Sequence, residues 1–242
     1  MKEKHSGRVI DSGSEFREVN VDQMPFGGVS FAENPDPRCH CVLLLDTSRS
    51  MEGAPIAALN AGIKTYKDEL AADSLAAKRV EVALVTFGGE ITLVSDFGAA
   101  GEFRPPLLQP TGDTPMGGAI AKALEMLQAR KQLYKQNGVQ FYRPWLFLIT
   151  DGAPTDEWAA VAEKVKEGEA ARAFAFFAVG VSGADFDILK QISVREPLKL
   201  DGLRFRDLFV WLSNSQRAVS HSKAGEETPL ENPTKPDGWA KV

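Results

Sequence analysis

The stretch CVLLLD at residues 41–46, an unbroken apolar run ending in a carboxylate, narrows the fold of this 242-residue chain more than any other. A strand with one wet face alternates apolar and polar residues, whereas a strand covered on both faces reads as continuous apolar sequence. WLFLITDG (145–152) and FAFFAVGV (174–181) read the same way. Between the runs the period changes: Ile56, Leu59, Ile63, Tyr66 and Leu70 recur at helical spacing, predicting a helix over 55–73 with Pro55 in its first turn. Ile120, Leu124 and Leu127 mark a second helix from about Gly117 to the stop at Asn137-Gly138. Further helices are expected over 156–172, 185–192 and 204–219, with PLKL (197–200) as a short last strand. RVEVALVTFGG (79–89) and ITLVSDF (91–97) flank a Gly88-Gly89-Glu90 break and read as a hairpin. Buried strands alternating with helices define an α/β fold: a doubly wound, mostly parallel, six-stranded sheet with one antiparallel edge strand and helices on both faces. Residues 1–38 read as an arm or edge segment and 39–219 as the folded domain. Residues 220–242, rich in Pro, Glu, Lys and Gly, read as a disordered tail.

Twenty-eight Lys and Arg against 33 Asp and Glu leave a net charge of −5, so the basic footprint of a nucleic-acid binder is missing overall. No apolar run approaches the roughly 20 residues of a bilayer span, and the first residues lack the apolar centre of a secretion signal. The cytoplasm is therefore the expected compartment, with no membrane partner. Cys39 and Cys41 are too close in the chain for an unstrained bridge and are expected as thiols. Cys39-His40-Cys41 invites a zinc reading, but a closed site needs four ligands, and His5 and His221 lie in the end segments. Packing is the preferred role, with the two cysteines on one face of a strand and His40 on the other.

Open α/β sheets bind ligands at the carboxyl ends of their strands. Three segments fall there: Asp46-Thr47-Ser48-Arg49-Ser50, a D-x-S-x-S motif; the loop Gly112-Asp113-Thr114-Pro115-Met116-Gly117; and Thr150-Asp151-Gly152. Two carboxylates and three hydroxyls form an all-oxygen set suited to a hard cation such as Mg²⁺ or Mn²⁺. The hydroxyls of Ser48, Ser50 and Thr114 are expected to touch the ion while Asp46 and Asp151 hold its waters. Such an ion keeps uncompensated positive charge and an exchangeable position, and so attracts an external carboxylate. Asp113 is expected to shape its loop, and Asp156 to cap, or meet the dipole of, the helix that it opens.

These motifs, in this order and at these strand ends, resemble the metal-ion-dependent adhesion site of von Willebrand factor type A domains. The resemblance covers residues 39–219 and implies a metal held by Ser48, Ser50 and Thr114, with Asp46 and Asp151 in its immediate shell. It further implies an Asp or Glu from a protein partner completing the octahedron. The text FAENPDPRCHCVLLLDTSRSM is also similar to small stand-alone bacterial members, the YegL-like and tellurium-resistance TerY-like proteins. These are associated with protein kinases and phosphatases in stress and metal resistance. Many of them carry Gly where this chain has Arg49, a long cation beside the metal loop and on the rim a partner would meet, which could greet an incoming acid, partly cover the ion, or point to solvent.

The competing reading is a phosphoryl-transfer hydrolase using the same ion. A haloacid-dehalogenase-type site requires D-x-D, and the third residue here is Ser48. His5, His40 and His221 all fall away from the carboxyl-end loops, so no Ser/His/Asp arrangement forms. The G-x-G-x-x-G, kinase and Walker A patterns are missing as well. A binding module rather than an enzyme is expected.

Overall fold

The structure, a computed structural model, describes residues 34–241. Residues 1–33, most of the expected arm, lie outside the described residues. In chain order the elements are β1 (Cys39–Asp46), a 3-10 turn (Arg49–Met51), α1 (Ala54–Ala71), the single turn α2 (Ala76–Arg79), β2 (Val80–Gly88) and β3 (Glu90–Ala99). They are followed by α3 (Met116–Gln136), β4 (Trp145–Thr150), α4 (Ala159–Ala170), β5 (Ala175–Gly180), α5 (Phe186–Ile192), β6 (Leu198–Leu200), α6 (Phe205–His221) and β7 (Ala240–Lys241).

One sheet runs in the order β3-β2-β1-β4-β5-β6-β7. The five inner strands are mutually parallel, and β3 pairs antiparallel with β2, as the hairpin reading expects. Alternate residues of β1 feed two cores. Cys39, Cys41, Leu43 and Leu45 face α1 and α6, while Val42 and Leu44 face α3, α4 and α5. This double coverage is why the strand sequence is unbroken in its hydrophobicity. At the amino end of the sheet the buried Glu81 accepts from Arg38 (3.0 Å), Arg130 (2.9 Å) and Tyr134 (2.6 Å), joining the entry to β1, strand β2 and α3. No helix among the described residues is long and apolar enough to cross a membrane.

Two expectations are corrected. The sheet has seven strands, because β7 adds antiparallel to β6 through Lys199 and Leu200 and makes the second edge antiparallel as well. The tail is not disordered over 222–241. Trp239 is 3 % exposed and stacks edge-on against Trp211 of α6, with ring centroids 5.5 Å apart. The Trp211 indole donates to the Glu231 carbonyl (2.7 Å), Arg204 donates to the Gly238 carbonyl (2.6 Å), and the Asp201 amide donates to the Trp239 carbonyl (2.9 Å). A single buried indole anchors a segment whose composition otherwise favours solvent.

Cys39 and Cys41 are free, buried thiols, and burial pushes Cys39 up to about 12. His40 sits on the other face among Phe97, Tyr134 and Phe141. Burial first, then Arg130 and Lys131, lower its pKa to about 3, so it packs as a neutral ring.

Candidate metal centre

Strands β1 and β4 lie side by side and parallel, with Leu45 opposite Ile149, so their carboxyl ends deliver Asp46 and Thr150-Asp151 to one place. Asp46 is fully buried, and both its oxygens are engaged: Oδ1 accepts the Ser48 amide (2.8 Å) and Oδ2 the Thr150 hydroxyl (2.6 Å). The turn after β1 then brings the Ser48 and Ser50 hydroxyls to 2.9 Å from each other. Ser50 in turn donates to Asp151 Oδ1 at 2.6 Å, across 101 positions of sequence. Asp46, Ser48, Ser50 and Asp151 therefore form one connected cluster. Ser48 and Asp151 are buried, and Ser50 is exposed at its mouth.

Thr114 arrives on the loop that precedes α3. That loop is stitched to the first one by Arg49 N to Gly112 O (3.1 Å) and Thr111 N to Thr47 O (2.7 Å). Asp113, expected to shape this loop, accepts the Gly89 amide on its carbonyl (2.8 Å). The approach is tight. Gly112 has φ +62°, and a Cβ there would fall 2.3 Å from the Cα of Gly89, so only glycine fits. The Thr114 hydroxyl comes within 3.5 Å of where a Cβ on Gly152 would stand, beside Asp151.

The two later loops are fastened by residues whose roles the sequence motifs do not reveal. Thr114 N donates to the Thr155 hydroxyl (3.1 Å), and Thr155 N donates back to Thr114 O (2.9 Å). Asp156 accepts from Gly117 N (2.9 Å) and Gly118 N (2.7 Å), so it caps α3, not the helix that follows it in sequence. That corrects the assignment of its partner, because α4 opens only at Ala159. The carboxylate meets the positive end of a 21-residue helix, and its contact orients the Thr114 loop.

Burial is the main influence on both site carboxyls and raises both above the ordinary range. For Asp46, hydrogen bonds from Ser48 and Thr150 oppose it and the nearby Asp151 charge adds to it. For Asp151 the Ser50 hydrogen bond opposes it. Two acids held close together in a water-poor place are stabilised in their ionised form by a cation. The donor set contains oxygens alone, and among the described residues no group of three or more His, Cys, Asp or Glu assembles a softer or carboxylate-rich site. Arg49 is exposed at the rim, and among the described residues its side chain makes no ion pair.

A doubly wound α/β sheet with an oxygen-lined cluster at the carboxyl ends of its two central strands defines a ligand-binding domain of the open-sheet class. The family model of the von Willebrand factor type A domain matches residues 41–200, and the chain belongs to that family. Among solved structures, the fold is similar to the pilus adhesin SpaC from Lactobacillus rhamnosus GG in its open conformation. That match has a TM-score of 0.60 and 17 % identity, covering 76 % of this chain and 30 % of the adhesin. It is also similar to proximal thread matrix protein 1 from the mussel byssus, with a TM-score of 0.53 and 14 % identity, covering 75 % of this chain and 48 % of that one. The chain thus spans less than half the length of either. No curated protein matches it.

Proposed function

We propose that this chain is a divalent-cation-dependent protein-interaction domain. The ion, Mg²⁺ or Mn²⁺, would be held by the hydroxyls of Ser48, Ser50 and Thr114, with Asp46 and Asp151 in its immediate shell. When bound, the cation supplies a compact positive charge that a carboxylate can approach. The observation that carries this reading is one connected cluster, open to solvent at Ser50: Asp46 accepts the Ser48 amide, the Ser48 and Ser50 hydroxyls meet, and Ser50 donates to Asp151. With both its oxygens already engaged, Asp46 acts as a fixed charge. The occupant of the last position is an Asp or Glu of a protein partner, and Arg49 stands where that acid would pass.

Catalysis has no support at the site. The described histidines lie elsewhere, His40 in the aromatic cluster at the amino end of β1 and His221 against Asp73. The likeness of FAENPDPRCHCVLLLDTSRSM to the small stand-alone bacterial proteins supports a finer placement, a cytoplasmic stress or tellurium-resistance role with a kinase or phosphatase as partner. Calorimetric titration with Mg²⁺ and Mn²⁺ tests the centre: Asp46→Ala and Thr114→Ala should abolish binding with the fold intact. Unchanged affinity in both variants would reject it. Affinity purification with and without a chelator then identifies the partner.

A further inference from the structure

At the amino end of the sheet, away from the metal centre, a cavity of about 450 Å³ opens between α3 and α4. Its apolar wall is made by Leu124, Leu127 and Phe174, and its polar rim includes Lys131 and Lys135 of α3 and Lys164 of α4, with no carboxylate among the lining residues. In a chain with a net charge of −5, three cations gathered without an acid are unusual. Among the described residues none of the three lysines makes an ion pair; Lys131 donates only a long bond to the Ala173 carbonyl (3.3 Å).

The last turn of a helix favours lysines through its dipole, which accounts for Lys135. It does not account for Lys164, which lies midway along a different helix and converges on the same opening. Lys131 and Lys135 stand four residues apart on one helix face, where like charges repel. Burial and then the Lys135 charge lower the pKa of Lys131. The floor is built as well. Phe174 packs against Gly168 inside α4, where a Cβ would lie 2.2 Å from its ring. Arg172 takes a left-handed turn (φ 53°) that leads the chain into the Phe174 position.

We propose that this cavity binds a phosphorylated small molecule with an aromatic body, of the nucleoside diphosphate class. Three lysines match a multiply charged phosphate group, whereas a single carboxylate would leave two of them uncompensated. The partly exposed Leu124, beside the buried Leu127 and Phe174, offers an apolar edge to a flat ring, and the volume falls within the range of small-molecule pockets.

The test is calorimetric titration of the full chain with ADP, adenosine and inorganic pyrophosphate, in excess EDTA so that the metal centre takes no part. ADP should bind saturably, at least about tenfold more tightly than either fragment. The paired substitution Lys131→Gln with Lys164→Gln should weaken ADP by at least about tenfold, while Asp46→Ala leaves it unchanged. Both lysines are at least partly exposed, and circular dichroism and melting establish that the variant folds. The proposal is overturned if ADP shows no saturable binding, or if the lysine variant binds it as the parent does. It is equally overturned if an oligo-glutamate peptide binds there and ADP fails to displace it.

Discussion

Replacing Thr150 with Val tests the proposed metal centre from beneath. The side chain is fully buried, and valine keeps its shape while deleting the hydroxyl. Two bonds disappear together: the one donated to Asp46 Oδ2 at 2.6 Å and the one accepted from the Gly152 amide at 3.2 Å. A buried hydrogen bond to a charged group contributes about 1.5–3 kcal/mol and a neutral one about 1 kcal/mol, so the loss is about 3 kcal/mol. For a chain of this size that lowers the melting temperature by about 6–12 °C. Removing a partner that orients a metal-site carboxylate also weakens the ion by about ten- to a hundredfold. Scanning calorimetry in chelator, followed by Mg²⁺ titration, reads both effects. The loss should shrink in acid, where a protonated Asp46 no longer carries a charge to be satisfied. If Thr150→Val melts with the parent and binds the ion equally well, then Asp46 is not held as described and the account of the site fails.

Trp239→Ala should cost about 3 kcal/mol and melt about 6–12 °C lower, because it empties the contact with Trp211 that docks the tail; no shift would mean that the tail does not dock. Both site carboxyls are raised, so the stability linked to their protonated forms is full below the ordinary carboxylate range and is lost as pH rises through their folded values. The ion needs the ionised forms. Its effect on melting should therefore vanish in acid and grow through that window, and a metal-induced shift independent of pH would contradict it. Gly112→Ala sets a Cβ against Gly89 and forces the strained φ, so it should weaken Mg²⁺ binding by titration more than Gly138→Ala, a positive-φ glycine with open space around it, affects it. Cys39 and Cys41 should resist a thiol reagent until the chain unfolds; fast labelling of the native protein would show that β1 is not covered.

The inner strands and long helices are legible in the sequence because burial on two faces and helical period leave distinct local patterns. β7 leaves none: two residues cannot display an alternation, and its position depends on Trp239 meeting an indole 28 places earlier in the chain. The meeting of Asp46, Ser48, Ser50 and Asp151 is legible in the same way, since parallel strands deliver their carboxyl ends to one rim. Thr155 and Asp156 are not, because their partners are amides 38–41 residues away, in the Thr114 loop and the first turn of α3. Asp156 in particular reads locally as the cap of the following helix, and only the folded chain reveals that it serves α3.

The full engagement of Asp46 has a thermodynamic corollary for the proposed centre. A carboxylate already committed to Ser48 and Thr150 neutralises the ion from a distance, so the cation alone is under-neutralised and weakly retained. An incoming acid then tightens the cation by the same factor by which the cation tightens the acid. Titrations of either component in isolation will understate the affinity of the ternary assembly, and the concentration of free divalent ion becomes a dial on partner occupancy.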